Sequence, residues 1–447
     1  MSAPQLDQLS TVGEHGERKR LFPAKVTGRY NRLRSVIQIV LVGALLALPF
    51  VRVRGAPAVW LDVGHHRFFV LGAVLGPTDS SLLFFLLSGI GFALIVVSAL
   101  WGRVWCGFAC PQTVFLEGVY RRIERWVEGS AEEQRRLARS PWTFDKVVRA
   151  VAKQFLFVVV SALLAHVVSA YFIGAAPFAK LVREGPFAEP GVFAWIVIAT
   201  GAIYFNFAWF REQLCIVICP YGRLQSALTD ADTIVIGYDA IRGEPRGHGG
   251  QDKGDCIDCK RCIAVCPTGI DIRQGLQLEC VGCSACVDAC DDIMERVHKP
   301  LGLIRYDSER GLMHEARRFV RPRLYLYAAL AVAGCLAFVL TSWARPAIPA
   351  TLLRQPGPPF VRDGDDVRNA FSVVVHNNGA SAQTYRFVAH AGAGEVVLPK
   401  SEWVVEAGRD VAVPLFVKER AGMHAEVTVV ITTKTAQREL HAPFVSP

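Results

Sequence analysis

Residues 256–267 read CIDCKRCIAVCP and residues 280–291 read CVGCSACVDACD. Both stretches carry the spacing C-x2-C-x2-C-x3-C, and the second repeats the first at an offset of 24 residues (256 to 280). Bacterial two-cluster ferredoxins have this spacing, and in them the fourth cysteine of each run binds the other cluster. The two runs therefore predict a two-cluster ferredoxin-like α+β unit that transfers single electrons.

The interleaved pattern assigns four thiolates to each of two 4Fe–4S clusters, because soft sulfur ligands suit iron. The first-run cluster is predicted to bind Cys256, Cys259, Cys262 and Cys290. The second-run cluster is predicted to bind Cys280, Cys283, Cys286 and Cys266. Charges near each run also predict an order of potentials. Lys260 and Arg261 would make the first-run cluster easier to reduce, whereas Asp288, Asp291 and Asp292 would lower the potential of the second.

The rest of the chain is too apolar for a typical soluble enzyme. The 447 residues are 52% hydrophobic, and the mean hydropathy is +0.29. Such a composition indicates membrane spans. Five apolar stretches predict membrane-spanning helices, at residues 36–51, 82–101, 155–176, 192–210 and 324–343. The stretch 68–75 is too short to cross and is interpreted as packing at the membrane interface.

Lysine and arginine residues collect on alternate sides of these spans. The N-terminal arm, the loop after the second span and the segment before the fifth are rich in them. By the positive-inside rule, the N-terminus and the ferredoxin unit lie in the cytoplasm, and the C-terminus lies outside. The net charge of +9 therefore comes from basic residues that flank the predicted spans next to the lipid bilayer, and we expect no nucleic-acid partner. The first span lacks a following cleavage site, which predicts a retained anchor.

These features predict an organisation in five segments. They are a basic cytoplasmic arm (1–34), a four-helix membrane region (35–242), the ferredoxin unit (243–300), a linker with the fifth span (301–345) and an external domain (346–447). In the last segment, β-branched or alternating runs at 372–376, 384–389, 403–405, 411–417 and 427–432 predict an all-β sandwich. Residues 114–137 predict an amphipathic surface helix, and the glycine-rich stretch 243–254 predicts a flexible linker.

A second cysteine pattern, C-x3-C-P, occurs twice at the cytoplasmic ends of predicted spans. Its members are Cys106 and Cys110 after the second span, and Cys215 and Cys219 after the fourth. Cysteines at i and i+4 would share a helix face, and two packed hairpins would bring four thiolates together. Such thiolates suit Cu(I), zinc or an iron–sulfur centre, although small buried packing residues explain the pattern equally well.

Isolated residues carry less information. His166 in the third span is interpreted as structural, and Cys335 in the fifth as packing. His65 and His66, near Asp62, suggest a solvated polar loop, with a metal or quinone-edge site as the alternative. The sequence has no G-x-G-x-x-G fingerprint after a strand and no Walker motif, so we expect no nucleotide or flavin site of the chain's own.

Three motifs together resemble the cytochrome c oxidase accessory protein family of the FixG/CcoG type. They are CGFACPQTVF from Cys106, C-x3-CPYGR from Cys215 and the paired runs from Cys256 to Cys290. The resemblance implies an integral protein of the bacterial inner membrane with an immunoglobulin-like periplasmic domain. It also implies an oxidoreductase that converts Cu(II) to Cu(I) during maturation of a cbb-three-type oxidase. By that resemblance the membrane-edge cysteines are candidate copper ligands.

The resemblance leaves partners and reaction open at several points. An unknown donor would reduce the clusters, and the external domain would dock oxidase subunits or a copper carrier. One alternative is a quinol-oxidising ferredoxin subunit that feeds electrons to another redox enzyme. A further alternative is a non-catalytic assembly scaffold whose clusters are structural.

Overall fold

The computed structural model describes residues 20–53, 56–64, 67–70, 73–76, 79–247, 253–318, 321–344, 346–377, 379, 382–392, 394–406, 408–422 and 426–446. The α-helices are α1 (Arg29–Ala47), α2 (Ser80–Trp101), α3 (Val104–Phe108), α4 (Pro111–Phe115), α5 (Arg121–Glu128), α6 (Ala131–Arg139), α7 (Phe144–Ile173), α8 (Ala175–Glu184), α9 (Pro190–Tyr204), α10 (Pro220–Leu228), α11 (Ala240–Gly243), α12 (Arg261–Ala264), α13 (Ala285–Arg296), α14 (Glu309–Leu312) and α15 (Pro322–Trp343). π-Helical turns occupy Leu116–Tyr120, Phe205–Phe210 and Leu214–Ile218, and a 3₁₀ turn occupies Ile272–Gln274.

The strands are β1 (Arg52–Val53), β2 (Ala56–Pro57), β3 (Val59–Asp62), β4 (Arg67–Val70), β5 (Ala73–Leu75), β6 (Val235–Tyr238), β7 (Ile304–Asp307), β8 (Ala350–Arg354), β9 (Val361–Asp363), β10 (Asp366–His376), β11 (Gln383–Ala391), β12 (Glu395–Val397), β13 (Glu402–Val405), β14 (Asp410–Arg420), β15 (Glu426–Thr432) and β16 (Gln437–Pro443). The chain divides into two compact units. One comprises Met1–Ala47, Leu87–Ser169 and Lys180–Gly334, and the other comprises Leu48–Leu86, Ala170–Ala179 and Cys335–Pro447.

Within the described residues, five helices are long and apolar enough to cross a membrane: Arg29–Ala47, Ser80–Trp101, Phe144–Ile173, Pro190–Phe210 and Pro322–Trp343. The predicted number is confirmed, but two boundaries are wrong. The first helix begins at Arg29 rather than at residue 36, and α7 begins at Phe144 rather than at residue 155. Charged side chains in the first turns of both helices hide these turns from a hydropathy pattern. In α7, Arg149 pairs with Asp145 one turn earlier and supports the extra helix.

The single amphipathic helix predicted at 114–137 is wrong. The chain instead passes from α4 through a π-helical turn into α5, and a separate α6 follows. Gly129 breaks the helix with a φ of 87°, a backbone region that glycine adopts without steric cost. Ser130 and Glu133 then form a reciprocal capping box that starts α6.

One short apolar stretch has regular structure, and one linker prediction needs correction. The stretch at 68–75 contributes β4 and β5 to a three-stranded sheet of order β3-β4-β5. The described ends of the 243–254 stretch are tied to the ferredoxin unit rather than free. The amide of Gly254 donates to the carbonyl of Pro245, and the amide of Gly247 donates to that of Cys256. Residues 248–252 of this stretch, together with His65 and His66, lie outside the described residues.

The predicted C-terminal β-sandwich is confirmed. One sheet has the order β12-β14-β10-β8, with β9 also paired to β10, and the other has the order β13-β11-β15-β16. All pairs are antiparallel. Alternate side chains such as Val373, Leu415 and Phe387 face inward and are almost fully buried between the sheets. Each of the five predicted strand runs falls within an observed strand, whereas β8, β9, β12 and β16 were not predicted.

Candidate iron–sulfur and thiol site

The two cysteine runs have matching backbone turns. Asp258 and Lys260, which flank Cys259, adopt φ values of 52° and 55°. In the second run, Gly282 and Ser284 flank Cys283 and adopt φ values of 67° and 61°. Non-glycine residues rarely enter this left-handed region. The matching φ values give both loops the same tight turn around their second cysteine.

The structure gathers the cysteines into the two predicted sets of four. One small cavity is lined by Cys256, Cys259, Cys262 and Cys290. A second cavity is lined by Cys266, Cys280, Cys283 and Cys286, together with Cys262 of the first set. In each set the fourth cysteine comes from the other run, as interleaving requires. The four-thiol sets and apolar walls fit a 4Fe–4S cluster at each position.

Antiparallel β6 and β7 bracket the two runs and supply part of those walls. Ile236 and Tyr238 of β6 and Ile304 of β7 pack with Cys256, Cys262, Val287 and Met294 in one apolar cluster. The strands lie outside the 243–300 segment that the sequence marked as the ferredoxin unit. The walls exclude water, and removing water strengthens electrostatic control of a redox centre.

Burial raises the pKa of several of these thiols, because a buried thiolate loses its hydration. The pKa of Cys262 rises to about 11, and those of Cys280 and Cys290 rise to about 12. A buried thiol keeps its proton unless a cation stabilises the thiolate. Metal binding at these positions would therefore release protons.

Three arginines donate hydrogen bonds to backbone carbonyls beside the second set of cysteines. Arg34 Nη1 lies 3.3 Å from the oxygen of Cys283, Arg103 Nη1 lies 3.3 Å from that of Cys280, and Arg121 Nη2 lies 3.1 Å from that of Pro267. Sequence analysis missed all three arginines. The separations along the chain, from 146 to 249 residues, leave no local signal.

The acidic residues do not act where the sequence suggested. The Asp288 carboxylate accepts the amides of Tyr30 and Asn31 and so caps the start of α1. Asp291 adds to the effect of burial in raising the pKa of Cys290, which belongs to the first-run set. Basic side chains thus lie beside both sets, because Lys260, Arg261 and Arg273 line the cavity of the first set. The charges near the two sets do not reverse the order expected from sequence, and the easier reduction of the first-run cluster stays a prediction.

The two C-x3-C-P turns also match each other. Cys110 and Cys219 are the N-cap residues of α4 and α10, each followed by proline at the first helical position. The amide of Cys110 donates to the carbonyl of Trp105, and that of Cys219 donates to Leu214, in both cases five residues back. The second cysteine of each pair therefore begins a new helix. The expectation that the pair shares one helix face is wrong.

The four membrane-edge cysteines lie near one another. Burial, together with the neighbouring thiols of Cys110 and Cys219, raises the pKa of Cys106 to about 12. The pKa of Cys215 also rises to about 12, through burial and then through the other three thiols. Within the described residues, no three His, Cys, Asp or Glu side chains are close enough to hold a single metal ion. The same holds for the two ferredoxin sets, whose predicted occupant is polynuclear.

The membrane-edge cysteines adjoin the second ferredoxin run. Cys106 and Cys215 pack against an apolar cluster that contains Cys283. Arg103 joins the two regions, because its Nη2 donates to the carbonyl of Gly222 at 2.7 Å while its Nη1 donates to Cys280. The turn after Cys106 is also in close backbone contact with Gly282. This contact offers a short path between the two sets of thiols.

His166 and Cys335 both lie on apolar helices away from the cysteine runs in sequence. His166 Nδ1 lies 2.7 Å from the carbonyl of Ala162, one turn back in α7, in keeping with its structural interpretation. Cys335 is exposed on α15. Exposure on an apolar helix that could cross a membrane is compatible with contact to lipid.

Comparisons with known proteins place these features in a family. A 4Fe–4S binding domain model matches residues 82–128, a 4Fe–4S dicluster domain model matches 210–309, and a model described as the IG-like fold at the C-terminal of FixG matches 338–447. Protein RdxA of Cereibacter sphaeroides is 34% identical over 397 residues, which are 85% of this chain and 84% of that protein. The nitrogen fixation protein FixG of Rhizobium meliloti is 32% identical over 407 residues, 81% and 77% of the two chains.

The chain belongs to the FixG family. Protein RdxB of Cereibacter sphaeroides, which is 35% identical over 400 residues, supports the same relationship. The predicted family resemblance is confirmed. As a FixG-family protein with matched 4Fe–4S domains, it is an iron–sulfur electron-transfer protein, and its five apolar helices indicate a membrane protein.

Proposed function

We propose that this FixG-family protein reduces Cu(II) to Cu(I) at the membrane-edge cysteines, for assembly of a cbb-three-type cytochrome c oxidase. Two 4Fe–4S clusters, when bound by the interleaved cysteine sets, supply electrons one at a time. One electron converts one Cu(II) ion, the substrate, to Cu(I). The supporting observation is the packing of Cys106 and Cys215 against the cluster of side chains around Cys283.

The residues of the chain favour this direction of transfer. Thiolates stabilise Cu(I) better than oxygen or nitrogen ligands do, so capture by the membrane-edge cysteines favours the reduced ion. Arg34, Arg103 and Arg121 place positive charge beside the second cysteine set, which adjoins the copper-binding turns. These arginines would stabilise added negative charge at the second set when a cluster is bound there.

The decisive experiment is anaerobic stopped-flow mixing of dithionite-reduced protein with Cu(II). We expect fast loss of the reduced-cluster signal in the wild type and in Cys335→Ser, a matched control at an exposed cysteine on α15. The double variant Cys106→Ser/Cys110→Ser should reoxidise at least tenfold more slowly. Equal rates in all three proteins would remove the membrane-edge thiols from the reaction.

A second candidate for these four cysteines is an iron–sulfur centre of their own. The matched 4Fe–4S binding domain at residues 82–128 contains Cys106 and Cys110 and neither ferredoxin run, which favours this alternative. Iron analysis separates the two candidates. Two clusters require about eight irons per chain, whereas a third 4Fe–4S centre raises the content to about twelve. In that case the Cys106→Ser/Cys110→Ser variant should contain about four irons fewer than the wild type.

We further propose an inner-membrane arrangement with the ferredoxin unit in the cytoplasm and the β-sandwich in the periplasm. The distribution of basic residues supports it. In that position the sandwich would dock oxidase subunits or a copper carrier, since exposed edge strands such as β12 and β13 can accept a partner strand. A reporter that is active only outside the cytoplasm, fused to the C-terminus, should be active; inactivity there would overturn this topology.

A further inference from the structure

A cavity of about 790 Å³ lies between the N-terminal segment, α1, α5 and the ferredoxin unit. Five basic side chains line it: Lys25, Arg34, Arg122, Arg125 and Arg261. The described lining has two acidic side chains, Glu117 and Glu132, so its formal charge is +3 (five positive, two negative). A cavity of this size and charge is suited to an anionic ligand.

The cations of this wall lack carboxylate partners. Among the described residues, none of the five forms a salt bridge, and Glu117 pairs instead with Arg121. Burial lowers the pKa of Arg125, and the neighbouring Arg121 and Arg122 lower it further while Glu117 opposes them. Positive charge is therefore crowded on this side of the cavity, a cost that a bound anion would relieve.

The wall also holds a buried polar group that requires an acceptor. Gln38 is 3% exposed, and its Nε2 has no hydrogen-bond partner among the described residues. Arg34, 8% exposed, lies one turn before it on α1. Buried polar groups are nearly always hydrogen-bonded. An oxygen-rich anion within the cavity would accept from the Gln38 amide and lie beside the positive charge of Arg34, whose Nη1 and Nη2 already donate to the carbonyl of Cys283 and to Asn31 Oδ1.

We propose that this cavity binds the phosphate of an anionic phospholipid headgroup. The guanidinium fork matches phosphate oxygens in a bidentate manner, which explains why arginine predominates. The position favours a lipid as the source of the phosphate. Arg34 and Gln38 belong to a helix that could cross the membrane, and Trp126, which lines the cavity, is 79% exposed. Basic pockets beside helix ends and exposed aromatic residues are typical of the headgroup layer.

Native mass spectrometry of the full chain in detergent tests the proposal directly. Titration with phosphatidylglycerol should fill one site at least tenfold more tightly than titration with phosphatidylcholine. The double variant Arg122→Gln/Arg125→Gln should weaken phosphatidylglycerol binding at least tenfold, since each lost guanidinium removes a charge-assisted hydrogen bond. The matched control Arg136→Gln, on an exposed part of α6, should bind as the wild type does.

A milder variant keeps the test independent of folding. Gln38→Leu removes only the unpartnered amide, and it should weaken binding several-fold. Equal phosphatidylglycerol affinity in the double variant and in Arg136→Gln would overturn the proposal. Binding of glycerol phosphate as tight as that of the lipid would overturn the lipid as the source. If phosphatidylglycerol bound only to a variant that begins at Arg20 and not to the full chain, the first 19 residues would be the occupant of the cavity. That result would also overturn the proposal.

Discussion

Gly107 lies against the backbone of Gly282, so closely that a Cβ atom at residue 107 would be 2.2 Å from the carbonyl oxygen of Gly282. Residue 107 follows the first cysteine of a C-x3-C-P turn, and residue 282 precedes the second cysteine of the second ferredoxin run. Gly282 in turn has a φ of 67°, and a Cβ there would lie 2.7 Å from the carbonyl oxygen of Arg103. The absence of two side chains thus permits the contact that connects the two cysteine groups.

The first prediction concerns this contact. Gly107→Ala should push the C-x3-C-P turn away from the second run, because neither backbone can yield without moving a cysteine. We expect the iron content to stay unchanged and Cu(II)-dependent reoxidation to slow about tenfold or more in stopped-flow measurements. Gly91→Ala on α2, where an added Cβ meets nothing within 4 Å, is the control. If Gly107→Ala were reoxidised by Cu(II) at the wild-type rate, the contact between Gly107 and Gly282 would not be needed for electron transfer.

The second prediction concerns the reduction potential of the second-run cluster. Arg103→Gln removes a positive charge that bonds the carbonyl of Cys280, so the second-run cluster should become harder to reduce. A loss of about 1–2 kcal/mol corresponds to a potential lower by roughly 40–90 mV for one electron. EPR-monitored redox titration should show this fall, with the first-run cluster nearly unaffected. A fall in the first-run potential alone would show that the cysteine sets are wrongly assigned.

The third prediction concerns a buried ion network. Glu124 is buried and bonds Arg211, and Arg20 lies 3.1 Å away. Arg211→Gln leaves the carboxylate without its main partner and should cost about 3–5 kcal/mol. When the protein is heated in detergent, Arg211→Gln should lose its monodisperse fraction at a lower temperature than the wild type. In Arg149→Gln, which breaks an exposed pair with Asp145, we expect less than about 1 kcal/mol and almost no shift.

The same network predicts a dependence on pH. Burial opposes ionisation of Glu124, but Arg211 and Arg20 prevail and hold its pKa below the usual value. A carboxyl group with a depressed folded pKa stabilises the fold above its unfolded pKa, and this contribution is lost as the pH falls through the folded pKa. Acidification below about pH 4 should therefore destabilise the wild type more than Glu124→Gln. Parallel acid profiles for the two proteins would contradict the pairing.

Local patterns in the sequence predicted what local geometry determines. The spacing of Cys256 to Cys290 fixed which thiols meet, since short x2 loops allow few backbone paths, and alternation in runs such as 411–417 predicted inward and outward faces of strands. Contacts over long separations were not predictable. Nothing near Cys283 in sequence indicates Arg34, which reaches its carbonyl across 249 residues. Likewise, Gly107 could be recognised as important only once its neighbour Gly282 was known.

The interleaving of the two cysteine runs is tested most directly by spectra of four single cysteine variants. Anaerobically prepared wild type should contain about eight irons per chain or more, with the spectra of 4Fe–4S clusters. Cys259→Ser and Cys290→Ser should lose the same cluster and give matching EPR spectra, whereas Cys283→Ser and Cys266→Ser should lose the other. Cys335→Ser should match the wild type. Far fewer irons in the wild type, or a Cys290→Ser spectrum that matches Cys283→Ser instead of Cys259→Ser, would contradict the account.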